Sequence, residues 1–182
     1  MTPRIIATLF ASSLLLPASQ AEPATQRAPS ETKTIKNLLI EVPTDCITDT
    51  QTTTPPSGAV QKMTKFSFRN RVLDLELVFF SYASGTAGNL DNAAQITSSE
   101  IKRTSGEASL TRWESTTVSG RPGRHIATKP DPTHQARQIT LIDDMRLNNQ
   151  MIMVDVSYDS NSPIGKTECE RIIKSVKLKD GA

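Results

Sequence analysis

The sequence predicts one α+β domain in which an antiparallel β-sheet is flanked by helices. Several runs alternate apolar and polar residues, as half-buried strands do, and turn-forming residues separate most of them. Two other segments place apolar residues at helical spacing behind good N-cap residues. The chain has 182 residues, of which 36% are hydrophobic and 22% charged, so its composition is that of a single globular domain.

The first 21 residues have the pattern of a secretory signal peptide. Arg4 precedes an apolar run that is too short to span a bilayer stably, and small residues, Ser19 and Ala21, stand before a cleavage site at Glu22. A buried N-terminal helix is the alternative interpretation. No cysteine follows the run at a lipidation position, so we expect an exported protein, periplasmic or secreted, without a stable membrane anchor.

The mature chain is expected to begin with a flexible lead-in and continue as one domain. Residues 22–36 are rich in Pro, Ala, Thr and Ser and show no apolar periodicity, so the domain is predicted to span residues 37–179. Residues 38–43 form a first strand that stops at Pro43. Hydroxyl residues and two prolines follow in residues 44–58, which predicts a surface loop.

A hairpin and a helix come next. The hairpin pairs residues 61–69 with residues 72–82, and in the second run Leu73, Leu75, Leu77 and Phe79 point to one face. The helix is predicted to start after Asn89 as its N-cap and to stop at Gly106.

The second half of the chain is predicted to form the centre of the sheet and a closing helix. A polar strand over residues 108–118 and a tight turn at residues 120–123 precede a loop over residues 129–134. Two strand-like runs, residues 136–147 and 150–159, are followed by a helix with Ser162 as N-cap and Pro163 at its first position.

The two cysteines, Cys46 and Cys169, are the whole cysteine complement. In an oxidising compartment they are expected to form one disulfide between the first loop and the last helix, stabilising the fold by about 4–5 kcal/mol. A redox-active or metal-binding pair is the alternative, but such cysteines usually lie close together in sequence.

No catalytic or cofactor motif is present, so we predict a protein that is not an enzyme and needs no cofactor. His125 and His134 are the only histidines, and no spacing typical of a zinc site, a nucleophile elbow or a phosphate-binding loop accompanies them. The formal net charge is +2 with acids and bases intermixed, which does not indicate a nucleic-acid partner.

Basic residues around two loops are the candidate contacts for a partner. The alternative is that they are simply solvated. The surfaces that we expect to meet a partner are the polar loops at residues 48–58 and 120–137. The candidate residues are Arg121, Arg124, His125, Lys129, His134 and Arg137.

The order of elements resembles the PsbP-like superfamily, which includes Mog-type import factors, the PsbP subunit of photosystem II and bacterial DcrB-like proteins. The matching features are an opening strand ending in IEVP, a strand turn in VSGRPGRHI and a terminal helix ending in IIKSVKL. The resemblance covers about residues 37–179. It implies an α-β-α sandwich and a non-enzymatic role as a binding or assembly module, and it carries over no functional residue.

These observations lead to two functional hypotheses. The first is an exported protein that binds another protein as an accessory factor, chaperone or inhibitor, including the neutralisation of a toxin. The second is a small-molecule or lipid-binding module with an apolar pocket between sheet and helix, lined by Leu73, Leu75, Leu77 and Phe79.

Overall fold

A seven-stranded antiparallel sheet forms the centre of the protein. The computed structural model describes residues 29–56, 58–106 and 113–179, and the order of strands in this sheet is β3-β4-β5-β9-β8-β7-β6. Its strands are β3 (Ile47–Thr53), β4 (Val60–Arg69), β5 (Leu73–Tyr82), β6 (Glu114–Val118), β7 (Arg121–Ala127), β8 (Gln135–Asp144) and β9 (Gln150–Asp159).

A second, three-stranded sheet lies beside it. Its order is β1-β2-β10, and both of its pairings are antiparallel. The remaining elements are β1 (Ser30–Ile35), β2 (Leu38–Pro43), β10 (Lys177–Leu178), α1 (Leu90–Ser105), α2 (Met145–Asn148) and α3 (Pro163–Ser175).

One face of the large sheet, here called face A, carries the main core. The alternating apolar side chains of β5 and β9 point to this face, and they are buried against β2 and α3. Leu75, Leu77, Val154 and Val156 of the sheet are fully buried there, as are Leu38, Ile40, Cys169 and Ile172 of the covering elements. The covering layer is thus half helix and half sheet.

The opposite face, here called face B, is covered by a helix on one side only. Helix α1 contacts β7 and β8, where its Leu90 and Ala94 pack with Leu141 and Met151. Its N-cap is Asn89, whose side-chain oxygen accepts a hydrogen bond from the N–H of Asn92 at 2.8 Å. The predicted cap is confirmed.

The predicted fold class is wrong in its balance of elements. Strands make up 51% and helices 22% of the described residues, so this part of the chain is mainly β, with two antiparallel sheets and three helices, and is not an α-β-α sandwich. Two segments account for much of the difference. Residues predicted as flexible lead-in form β1, and residues predicted as a surface loop form β3.

The predicted disulfide is also wrong. Cys46 and Cys169 are both free, although both contact the same core cluster. Cys169 is fully buried on α3, and Cys46 is partly buried before β3, so the core is packed without a covalent link between them. Burial raises the pKa of Cys46 to about 11 and that of Cys169 to about 12.

The predicted signal peptide lies outside the described residues. Within the described ranges, no helix has the length and apolar content needed to span a membrane.

Candidate functional site

The six predicted contact residues do not form one patch. Arg121 and His125 point to face A, whereas Arg124 and Arg137 point to face B, as the strand register requires. Lys129 and His134 are exposed in the loop between β7 and β8.

The three arginines of this set pair with acids of the same chain. Arg121 Nε lies 3.2 Å from Asp144 Oδ1, and Arg124 Nη2 lies 2.6 Å from Asp91 Oδ1. Arg137 forms an ion pair with Asp155. Their charges are therefore compensated locally, which leaves little net positive field for an acidic partner.

His125 lines a groove of about 520 Å³ between β6 and the end of α3. Its Nδ1 lies 2.9 Å from Thr140 Oγ1, and burial lowers its pKa. Glu114 and Lys174 also line this groove. Within the described part of the chain, no group of three or more His, Cys, Asp or Glu residues is placed to hold a metal ion.

A larger groove of about 810 Å³ separates β1 and β2 from α3. Arg171 forms ion pairs here with Glu41 at 2.5 Å and Glu168 at 2.6 Å, so charged groups occupy its wall. This groove differs from the apolar pocket that the sequence predicts. Leu73, Leu75, Leu77 and Phe79, which were expected to line that pocket, are at most 4% exposed within the packed core.

The half of face B that α1 leaves uncovered carries paired charges. Lys65 Nζ lies 3.0 Å from Glu76 Oε1, and Arg69 Nε lies 2.8 Å from Asp74 Oδ2. Asp155 stands directly opposite Glu76, is 5% exposed, and has its pKa raised chiefly by burial. Asp155 is thus buried, whereas the two ion pairs give this part of the sheet a polar, solvent-facing surface of the kind common in antiparallel sheets.

Strand β3 forms one edge of the large sheet. It pairs with β4 alone, and all seven of its residues are exposed on both faces. Ile47 is 79% exposed, which makes it the most exposed large hydrophobic residue of the described chain. No other described segment overhangs this edge.

The direction of its backbone groups follows from the hairpin next to it. The N–H of Asn70 bonds to the carbonyl of Leu73, and hydrogen-bonded pairs alternate along an antiparallel ladder, so the even-numbered residues of β4 bond to β5. The odd-numbered residues of β4 therefore bond to β3. They stand opposite the odd-numbered residues of β3, which are the ones that bond to β4. The N–H of Thr50 accordingly donates to the Asp49 carboxylate at 2.8 Å. The outward backbone groups belong to Thr48, Thr50 and Thr52.

The β3 edge has few of the features that usually protect a sheet edge, and Asp49, whose carboxylate accepts the outward N–H of Thr50, is its one charged residue. The strand, ITDTQTT, contains no lysine, no proline and no β-bulge in its pairing with β4. The prolines come only afterwards, at Pro55 and Pro56. We therefore take β3 as the candidate functional site, within the 48–58 segment that the sequence indicated as a partner-facing loop.

Sequence reasoning missed that this segment is a strand. The signal that could have found it is the repeated threonine at positions 48, 50 and 52, because β-branched residues favour strands and the spacing is two residues.

Comparison with known proteins assigns no family to the chain. No known family and no curated protein matches it. A crystal structure of PA94, a protein of unknown function from Pseudomonas aeruginosa, is similar at 11% identity and a TM-score of 0.40. The similarity covers 80% of this chain and 91% of that one. The resemblance to the PsbP-like superfamily gains no support from these comparisons and stays a prediction.

Proposed function

We propose that this chain is an exported, non-catalytic protein that binds another protein by accepting one of its strands at the β3 edge. The observation that carries the proposal is the free edge itself, with seven exposed residues and no lysine, proline or β-bulge. Strand addition at such an edge is a common mode of peptide recognition. Accessory factor, chaperone and inhibitor are roles that fit this mode.

Backbone pairing alone is too weak to give a stable complex. Three outward residues offer about six hydrogen bonds, worth roughly 0.5–1.5 kcal/mol each. Association costs on the order of 4–15 kcal/mol in lost translational and rotational freedom. The side chains of β3 must therefore add to the affinity, and Ile47, Asp49 and Gln51 on face B are placed to do so.

Export is supported by the sequence of the first 21 residues, with its basic start, apolar run and small residues before the cleavage site.

The proposal is tested by placing proline at the outward position Thr50. Because the Thr50 N–H points away from β4, Thr50→Pro removes a donor from the free edge without removing one from the β3–β4 ladder. The matched control, Thr50→Val, keeps the donor. Both variants should fold, as judged by circular dichroism.

The measurement is retention of partners from a periplasmic extract on the immobilised protein. A protein retained by the wild type and by Thr50→Val should be lost with Thr50→Pro. Equal retention of the same protein by Thr50→Pro would contradict binding at this edge.

A further inference from the structure

The β3 edge is complementary to itself. We infer that the strand it accepts is β3 of a second copy of this chain, antiparallel to the first, around a two-fold axis at Thr50. The inference rests on the proposed strand addition and names the partner. A two-fold axis perpendicular to the sheet places face A of one copy on the same side as face A of the other. The same residues of both copies then form the contact, so it is isologous and closes as a dimer.

The hydrogen-bonding positions agree with this arrangement. With the axis at Thr50, Thr50 faces Thr50 of the second copy, and Thr48 faces its Thr52. These are the residues whose backbone groups point outward, so every outward N–H and C=O of β3 finds a partner. Thr50 is also the middle residue of Ile47–Thr53, so all seven positions are paired.

The side chains agree as well. Threonine stands opposite threonine on face A, a favourable cross-strand pair. On face B, Asp49 stands opposite Gln51 of the second copy. The Gln51 Nε2 already donates to Asp49 Oδ2 at 3.0 Å within one chain, so the two groups are suited to each other. In the single chain the Thr50 N–H donates to the Asp49 carboxylate. In the dimer it would donate instead to the carbonyl of Thr50 in the second copy.

Other registers of the pairing between the two β3 strands are less favourable. An axis at Asp49 sets two carboxylates directly opposite each other, which is destabilising. An axis at Gln51 leaves Ile47 and Thr48 without facing residues in the seven-residue strand. An axis between two residues would put side chains of opposite faces side by side, which a continuous sheet does not allow.

Nothing in the described chain obstructs the pairing. Thr48, Thr50 and Thr52 are exposed on face A, and Ile47, Asp49, Gln51 and Thr53 are exposed on face B. A second strand can therefore approach along the full length of β3 without displacing another element.

The test combines a register-specific disulfide with a measurement of mass. In a Cys46→Ala background, Thr50→Cys places two cysteines in a facing pair with Cα atoms about 5.5 Å apart, within the range that a disulfide bridges. Thr52→Cys is the matched control, because its two copies would lie about 13 Å apart along the strand and cannot be bridged. Oxidation should yield a covalent dimer with Thr50→Cys only.

Sedimentation equilibrium of the full mature protein supplies the second readout. The wild type should dimerise, and Thr50→Pro should raise the dimer dissociation constant at least about tenfold, since two central hydrogen bonds are lost. Thr50→Val should leave the constant within about twofold of the wild-type value.

The outcomes separate the inference from the proposed function. A wild type that stays monomeric, while Thr50→Pro still loses an extract protein, overturns self-pairing and leaves strand addition by a different protein standing. A dimer that Thr50→Pro does not weaken, or that Thr52→Cys cross-links as well as Thr50→Cys, also overturns the inference. If Thr50→Pro changes neither dimerisation nor retention, both proposals fail.

Discussion

The carboxylate of Asp144 joins its own neighbourhood, at Asn148 and Gln150, to Asn37 and Arg121, which are distant in sequence. It is 1% exposed and accepts hydrogen bonds from Asn37 at 2.8 Å, Asn148 at 2.7 Å and Gln150 at 2.9 Å, and it pairs with Arg121 at 3.2 Å. The sequence alone shows that Asp143 and Asp144, adjacent on β8, point to opposite faces of the sheet. It does not reveal this burial, because Asn37 lies 107 residues away and no local pattern predicts the contact.

Removal of the Asp144 side chain should be strongly destabilising. Asp144→Ala leaves the Arg121 side chain, 14% exposed, without this carboxylate, and such a loss typically costs about 3–5 kcal/mol. Urea denaturation gives the change in the free energy of unfolding. The control, Asp143→Ala, alters the neighbouring half-buried carboxylate and should cost clearly less. Equal effects of the two variants would contradict the role of Asp144.

The buried Asp155 makes stability depend on pH. Burial raises the pKa of Asp155 in the folded protein, so the folded state binds this proton more tightly than the unfolded chain, whose pKa is about 3.9. The stabilisation that the protonated Asp155 carboxyl contributes is therefore complete below the pKa of the unfolded chain. It is lost as the pH rises through the pKa of Asp155 in the folded protein. Measured by denaturation across pH, the wild type should lose stability relative to Asp155→Asn over that window. The opposite slope would show that the ion pair with Arg137 outweighs burial.

Both cysteines should be present as unreactive thiols. The raised pKa values of Cys46 and Cys169, about 11 and about 12, leave almost no thiolate at neutral pH. Thiol titration of the unreduced protein should find two thiols after denaturation. In the native state, Cys46 should react slowly and the fully buried Cys169 should not react. Zero thiols after denaturation would contradict the free cysteines.

Among the elements, those with local signals were predictable. Helix α3 begins after Ser162, whose hydroxyl accepts from the Gly165 N–H at 3.1 Å, with Pro163 at its first position, as the sequence predicts. Strands β1 and β10 carry no comparable signal. They form because β2 offers a partner on each side, which depends on tertiary contacts.

The close packing of β7 against β6 and β8 explains why a glycine stands at position 123. A Cβ at this position would lie 2.8 Å from the Leu141 carbonyl and 2.9 Å from Thr116 Cγ2. Gly123→Ala should therefore cost about 1–3 kcal/mol in the free energy of unfolding, because a backbone atom must move. Gly120, with φ +77° and open space around it, is the control: asparagine tolerates a positive φ better than most side chains, so Gly120→Asn should cost clearly less than Gly123→Ala. Thermal or urea denaturation distinguishes the two, and a neutral Gly123→Ala would contradict the close packing.

At the scale of the whole molecule, the two faces of the sheet differ in how they are covered. Over its central strands face A has a second layer made of α3 and the small sheet, whereas α1 covers only the β7 and β8 side of face B. The sequence predicted helices flanking a sheet but not the small sheet, because the residues of β1 look like a polar tail. The polar β3 edge lies at the far side from α1, where the fold leaves both faces of a strand in solvent.

Strand addition at β3 is tested most directly by amide hydrogen exchange along this strand, measured by NMR over a range of protein concentrations. If a second strand occupies the edge, the outward amides of Thr48, Thr50 and Thr52 should exchange as slowly as that of Gln51 at high concentration, and faster on dilution. Gln51 is the internal control because its N–H faces β4. Rapid exchange of the three threonine amides at every concentration, and in the presence of any retained partner, would contradict strand addition at β3.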